Sequence, residues 1–394
     1  MTDVVQTVIL SLAGLVIAGI AWARISPGFL KSLPDDFISL RVPWKLPEFS
    51  GTENAQFEFF GALVIIWVLK GLLMNAGGPA QMYDFQRFLA ARSDRDASKI
   101  GAAWSVFLVV RWAMVMGIAL LAITGMTGAE DAEKVMPLVL KDYLPVGLRG
   151  VVIAGLLAAF MSTFSSTVNS GASFIVRDIW QPFFKKNPSD RQAVRFSYAA
   201  TILIVLLGIL IGFQGSSIAE IWNWMMVALG GGVIIPNVLR WYWWRMNGWG
   251  YALGILGGLF LSLVVLFFKD LPQYVVFPLV VTGSMLMSVL GSLWTKPVES
   301  GVLEKFFLSV RPWGAWGPVK KNALPSTEGK TYRSESASLG VLNVFLGMAA
   351  ISGLYLCPMY LVGRWYGPAA AAFAVSSVSV VALYFTWYRN LPEN

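Results

Sequence analysis

Residues 156–178 read LLAAFMSTFSSTVNSGASFIVRD and crowd hydroxyls into an apolar run, at Ser162, Thr163, Ser165, Ser166, Thr167, Ser170 and Ser173. On a helix, residues three and four apart share a face. Ser162, Ser165 and Ser166 therefore stack along one side, and Ala159, Ser162 and Thr163 form an overlapping cluster one turn away. Oxygen ligands carrying little or no charge suit a hard monovalent cation such as sodium, by the logic that governs calcium and magnesium sites. The same residue types also line contacts between membrane helices, where hydroxyls bond to backbone carbonyls. Spacing alone leaves both roles open.

Other residues with chemical potential lie in similar surroundings. The stretch NAGGPAQ, residues 75–81, sets Gly77, Gly78 and Pro79 in or just after an apolar window. Such a run breaks a helix and frees backbone groups, which is tolerated at depth where the break lines a cavity. It also suits a simple helix exit. Two cations sit inside apolar runs, Lys70 in IIWVLKGLLM and Arg111 in FLVVRWAMVM. A mid-span charge costs at least roughly 2.5–3.5 kcal/mol, so each is expected to face a cavity, a partner or an anionic solute, or to snorkel. Glu220 is the one acid in a window that comes near to matching them. Trp222 and Trp224 could form an outer gate, whereas Trp241, Trp243 and Trp244 beside Arg240 and Arg245 read as an interfacial aromatic belt.

These groups need a scaffold, and composition says which. The 394 residues are 56% hydrophobic and 13% charged, against roughly 25% charged in soluble domains. Ten apolar windows are long enough to cross a bilayer: 4–24, 57–75, 100–124, 147–172, 194–213, 216–239, 248–268, 272–294, 338–361 and 366–388. An all-α polytopic membrane protein is expected. The N-terminus lacks the basic flank of a cleavable signal peptide. A single cysteine and no histidine exclude a disulfide framework, a cysteine-rich metal site and histidine-based catalysis.

Charge assigns the sides. The segments 82–99, 177–195, 240–247 and 295–337, with Arg389, hold 19 of the 30 Lys and Arg, and all lie on one side if the ten windows are real. The other side carries Asp35, Asp36, Glu48, Glu53, Glu130, Asp131, Glu133 and Asp142. The basic side should be cytoplasmic, with both termini there, in the cell (inner) membrane. The net charge of +8 is thereby accounted for by loops beside spans, not by nucleic-acid binding. Residues 25–56 read as an ordered external loop and 295–337 as a flexible cytoplasmic linker.

The run PVGLRGVVIAGLLAAFMSTFSSTVNSGASFIVRD resembles the signature of the sodium:solute symporter family, which includes sodium-coupled sugar, proline and sialic acid transporters. QRFLAARSDRDASK is similar to the loop after that family's sixth core helix, and TDVVQTVIL to the start of its fifth. The resemblance implies a five-plus-five inverted-repeat fold like that of the leucine transporter, with broken helices framing a midplane site. It implies sodium as the coupling ion, at a site matching Ala159, Ser162 and Thr163 that takes its remaining ligands from the backbone of the first core helix. It also implies a second site, present in some members, matching Ser162, Ser165, Ser166 and Asp3. The alternative for Asp3 is an acid stabilised by a helix N-terminus. With the sixth core helix discontinuous near NAGGPAQ, Asn75 and Gln81 become expected substrate contacts.

One departure is large. Met1 stands where the family has tryptophan, and the first four core helices have no counterpart here. Residues 1–245 are then expected to be the C-terminal part of a transporter core, 246–294 two accessory helices, 295–337 the linker and 338–394 two last helices. A truncated gene model, a fragment or one half of a split protein would each fit, with an N-terminal half as a possible partner. The expected function is sodium-coupled symport of a small polar or anionic solute. A non-transporting scaffold or sensor is the alternative, although no kinase motif is present. A membrane enzyme is disfavoured, for want of a nucleophile–base pair, a phosphate-binding loop or a metal cluster.

Overall fold

The computed structural model describes residues 2–34, 37–51, 55–77, 88, 90–125, 132–213, 218, 221–222, 225, 230–265, 267–268, 271–323 and 337–391. Its principal helices, in chain order, are α1 Thr2–Arg24, α2 Pro27–Ser32, α3 Phe60–Ala76, α4 Asp94–Phe107, α5 Val109–Gly125, α6 Val135–Tyr143, α7 Val146–Phe174 and α8 Asp190–Gly212. They continue with α9 Gly230–Tyr242, α10 Gly248–Val265, α11 Gln273–Trp294, α12 Ser300–Val310, α13 Gly317–Ala323, α14 Ala337–Val362 and α15 Tyr366–Thr386. No strand occurs among the described residues, only an isolated bridge between Trp243 and Ala315. Among the described residues, eight stretches are long and apolar enough to span a bilayer, and α3 is a shorter apolar helix. These match nine of the ten expected windows. The tenth, 216–239, has much of its first half outside the described residues and ends in α9. The chain is an integral multi-pass membrane protein.

Local chemistry sets several boundaries. Ser93 caps α4 by accepting from the Asp96 N–H at 3.2 Å, with Asp94 and Asp96 in the first turn where the helix dipole favours acids. Gln192 Oε1 accepts from the Ser189 N–H at 3.2 Å at the start of α8. The Gly77 N–H donates to Leu73 O at 3.0 Å and closes α3. Gly78 and Pro79 of the expected break lie outside the described residues.

Packing divides the chain into two compact units, Met1–Pro34 with Arg87–Gln214 and Ser338–Asn394, and Asp35–Gln86 with Gly215–Ala337. In the first unit Gly14 meets Val110 and Met114, and Gly117 meets Ala18, so α1 and α5 run parallel. Their seam holds the buried core residues Ile17, Ala21, Leu120 and Leu121. Helices α14 and α15 form an antiparallel hairpin, pinned where Ser376 Oγ donates to Ala350 O at 2.8 Å and Thr386 Oγ1 to Asn343 Oδ1 at 2.7 Å. Arg364 donates to Trp22 O at one end of this unit. At the other end Arg95 Nε donates to Leu391 O at 3.3 Å, and the Arg95 guanidinium lies over the Tyr388 ring.

The second unit is knitted by small residues. Gly250, Gly254 and Gly258 recur every fourth position on α10, opposite Ser284, Ser288 and Ser292 on α11. A β-carbon at Gly250 would overlap Ser292 Oγ, one at Gly254 would overlap Ser288 Oγ, and one at Gly258 would overlap Gly232 Cα of α9. This is the close backbone approach that membrane helices use where hydrophobicity cannot drive association. Pro236 has no N–H to give to the carbonyl four residues before it. Ser284 Oγ supplies the replacement, its one proton shared between Gly232 O at 2.8 Å and Gly254 O at 2.9 Å. Asn237 is buried, with Nδ2 donating to Val233 O at 2.9 Å and Oδ1 accepting from Tyr251 Oη at 3.1 Å.

Within 295–337, expected as a flexible linker, the described residues form α12 and α13. Their Leu303, Phe307, Trp316, Val319 and Ala323 bury one another, with Trp244 packed alongside. The hydrophobic spacing of VLEKFF was legible as a helix face, but the Pro, Gly and Lys around it masked it. Gly314 at φ +104° places its backbone against Tyr242 O, which no side chain at that position would tolerate.

Asn247 ties the ends of α10 and α11 together. Its Oδ1 accepts from the Gly250 N–H at 2.9 Å, and Nδ2 donates to Thr295 Oγ1 at 2.7 Å and Lys296 O at 2.9 Å. Asn247→Ala removes a helix cap and strands buried acceptors, a loss of about 2 kcal/mol. The expected result is a lower melting temperature of the purified protein, with Asn247→Asp, which keeps the cap alone, in between. Equal melting of wild type and Asn247→Ala would show the cluster to be dispensable.

Candidate functional site

The hydroxyl stretch lies on α7, and two contacts fix how α7 sits against α1. The Arg24 guanidinium lies over the ring of Tyr143, just before α7 begins. Gly155 then faces Ile9 and Leu10, and a β-carbon there would lie 3.0 Å from Ile9 Cγ2. Moving forward on α7 thus means moving backward on α1, so the two helices are antiparallel. From Gly155 to Ser162 is an advance of about 10 Å along α7 at about 1.5 Å per residue. The same distance back along α1 from Ile9 and Leu10 reaches Asp3. The backbone of Asp3 and that of Ser162 therefore stand at one level.

The face of α7 that meets α1 is set by periodicity. At about 100° per residue, Ala159, Ser162 and Ser166 fall in line with Gly155, while Thr163 and Ser165 fall roughly 80° to either side. Burial follows this pattern. Gly155 is buried, Ala159, Ser162 and Ser166 are half-buried, and Thr163 and Ser165 are exposed. Ser166 Oγ donates to Thr163 O at 3.0 Å and Ser173 Oγ to Ser170 O at 3.0 Å. A hydroxyl whose proton is engaged with its own helix still presents lone pairs outward, and this geometry serves a cation ligand and a helix-contact residue alike. The helix then passes through a π-helical turn at Ile175–Trp180, where Trp180 stacks on Phe196 of α8 at 4.4 Å.

The other expected site residues are dispersed. Asn75 is exposed, with Nδ2 donating to Gly71 O of its own helix at 2.7 Å. Lys70 is half-buried on α3, Arg111 is exposed on α5, and Trp222 is exposed. Gln81, Trp224 and Glu220 lie outside the described residues, as does the side chain of Asp3. Among the described residues the ion pairs are Lys45–Glu58 at 3.0 Å and Lys99–Asp96 at 2.9 Å, so no described acid neutralises Lys70 or Arg111.

Gly155 and the group of buried Asn237 and Ser284 with half-buried Tyr251 had no place among the expected residues. For Gly155 the signal was its fourfold spacing to Ala159 within the apolar half of α7. For the buried group it was the Gly250, Gly254, Gly258 repeat.

The sodium:solute symporter family matches residues 1–258 of this chain. The chain is 24% identical over 263 residues to the osmoregulated proline transporter OpuE of Bacillus subtilis (strain 168), covering 63% of this chain and 53% of that protein. It is 27% identical over 206 residues to a sodium/glucose cotransporter of Vibrio parahaemolyticus, covering 47% and 38%. It is 27% identical over 164 residues to the sodium/sialic acid symporter NanT of Aliivibrio fischeri (strain ATCC 700601 / ES114), covering 40% and 32%. The chain thus spans about half the length, or less, of these curated relatives.

Proposed function

Because the chain belongs to the sodium:solute symporter family, we propose that it serves sodium-coupled entry of a small polar or anionic solute, with α7 holding the ion. The family is one of symporters, not of enzymes, and sodium is the ion its description names. In this reading Ala159, Ser162 and Thr163 belong to one sodium site, and Ser162, Ser165, Ser166 and Asp3 to a second. What supports it is the packing of Gly155 on Ile9 and Leu10 of the antiparallel α1, which, extended at about 1.5 Å per residue, brings the backbones of Asp3 and Ser162 to a similar level. In this reading an ionised aspartate supplies the formal charge that neutral oxygens lack. In a five-plus-five repeat, the remaining ligands of this reading are backbone oxygens of the family's first core helix.

Coupling requires that the ion bind the outward-open, solute-competent state more tightly than the other. On the solute side we place Asn75, Gln81, Lys70 and Arg111, with Trp222 and Trp224 as gating residues. Two cations within apolar spans, Lys70 and Arg111, suit a solute bearing a carboxylate. We place the chain in the cell membrane with cytoplasmic termini; for the C-terminus this is supported by Leu391, which meets the basic segment at Arg95.

The test is uptake of radiolabelled proline, glucose and sialic acid into proteoliposomes, with and without an inward sodium gradient. Accumulation that collapses when the gradient is dissipated is expected for at least one carboxylate solute, and sodium-independent or absent uptake across the panel rejects the reading. Asp3→Asn should lower the Hill slope of sodium activation or raise half-saturation about tenfold, equivalent to about 1.4 kcal/mol. Unchanged values for both would remove the second site.

A further inference from the structure

The pair α12 and α13 is too short to span, lies beyond residue 258 where the family match ends, and plays no part in the transport reading. Its position is nevertheless tightly fixed. Trp316 Nε1 donates to Trp241 O at 2.8 Å, the Ala315 N–H donates to Tyr242 O at 2.7 Å, and the Trp244 N–H donates to Ala315 O at 3.3 Å. Trp241 and Trp316 both pack on Phe306. The segment Trp241–Trp244 leads into α10, and Asn247 joins it to the end of α11. Since α10 and α11 cross the membrane as an antiparallel pair, a module docked on their shared end sits at the boundary between hydrocarbon and water.

The surface of this module is what that boundary selects. Residues 294–323 carry Lys296, Lys305, Arg311, Lys320 and Lys321 against Glu299 and Glu304. Lys305, Lys320 and Lys321 are exposed. Beside them, Trp294 is 79% exposed, Val302 54% and Val310 45%, although Leu303 and Phe307 of the same helix are buried. A short helix with one face in a protein core, another apolar and open, and a basic margin is the pattern of an element lying in the membrane surface. Clustered Lys and Arg directly beside a span attract anionic lipid.

We propose that α12 and α13 form a membrane-surface clamp whose Lys305, Lys320 and Lys321 take the phosphate headgroups of anionic phospholipids while Val302, Val310 and Trp294 enter the acyl boundary. The apolar exposure argues for lipid over a soluble acidic protein, because charge alone would not require it.

The test titrates the full chain in neutral detergent with phosphatidylglycerol or phosphatidylcholine and counts bound lipid by native mass spectrometry. Phosphatidylglycerol should bind preferentially. The variant Lys305→Gln/Lys320→Gln/Lys321→Gln should lose about fivefold per lysine, on the order of a hundredfold in all, while Lys→Arg at the same positions retains binding. Raising salt from about 50 to about 500 mM should weaken binding to wild type, a readout that needs no variant. A control removing three cations elsewhere, Arg177→Gln/Lys185→Gln/Lys186→Gln, should lose far less. Equal loss in control and module variants, no preference over phosphatidylcholine, insensitivity to salt, or full displacement by glycerol phosphate or an acidic peptide would each overturn the proposal.

Discussion

Gly258→Ala will destabilise the second unit by about 3 kcal/mol and lower the melting temperature of the purified protein by on the order of 10 °C. The change adds a single carbon, yet that carbon overlaps Gly232 Cα, and another contact lies on the Gly232 carbonyl. Both neighbours are backbone, so neither can swing aside as a flexible side chain would. The two helices must separate, which disrupts the hydrogen bond that Ser284 shares between Gly232 O and Gly254 O. Gly208→Ala on α8 is the matched control, because nothing lies within 4 Å of a β-carbon there. That variant should melt at or slightly above the wild-type temperature, since alanine is the better helix former. Equal melting of the two variants would mean that the glycine seam does not hold this unit together.

Ser162→Ala and Thr163→Ala should each raise the sodium concentration for half-maximal uptake about tenfold or more, the scale expected when one hydrogen-bonding or ligating oxygen at a charged group is lost. The maximal rate of uptake at saturating sodium should change less, and the melting temperature by only a few degrees. Ser173→Ala, whose hydroxyl donates to Ser170 O farther along the same helix, should leave sodium activation unchanged. The two positions also differ in a useful way. Ser162 is half-buried on the line that meets α1, whereas Thr163 is exposed to one side of it. If the ion lies between α7 and α1, Ser162→Ala has the larger effect. If it lies on the open flank, Thr163→Ala does. Wild-type activation in both variants removes sodium from α7 altogether.

Much of the architecture was legible because the bilayer imposes a length and a polarity that sequence records directly. The windows at 4–24, 272–294 and 366–388 reappear almost residue for residue as α1, α11 and α15. Where the record is weaker, the cause is local. VLEKFF is too short to register as a span and too polar at Glu304 and Lys305 to register as core, so α12 was hidden inside an apparent linker. The candidate ion site was half legible. Hydroxyl spacing marked the helix, and only the packing of Gly155 on Ile9 and Leu10 singled out Ser162 and Ser166 over Ser165 as facing α1. The placement of Asn75 was not legible at all, because a side chain that bonds back to Gly71 O of its own helix leaves no trace in the pattern of neighbouring residues.

The proline in α9 has a mechanical consequence. A helix missing one rung of its ladder ordinarily becomes a joint, free to flex at the gap. Here the gap is bridged from outside, since the Ser284 hydroxyl of α11 spans the Gly232 carbonyl of α9 and the Gly254 carbonyl of α10 at once. Any flexing at Pro236 would have to drag both neighbours with it or surrender this shared hydrogen bond in a medium with no water to replace it. These three helices should therefore travel as one rigid body when the protein changes shape, and any hinge must be sought elsewhere.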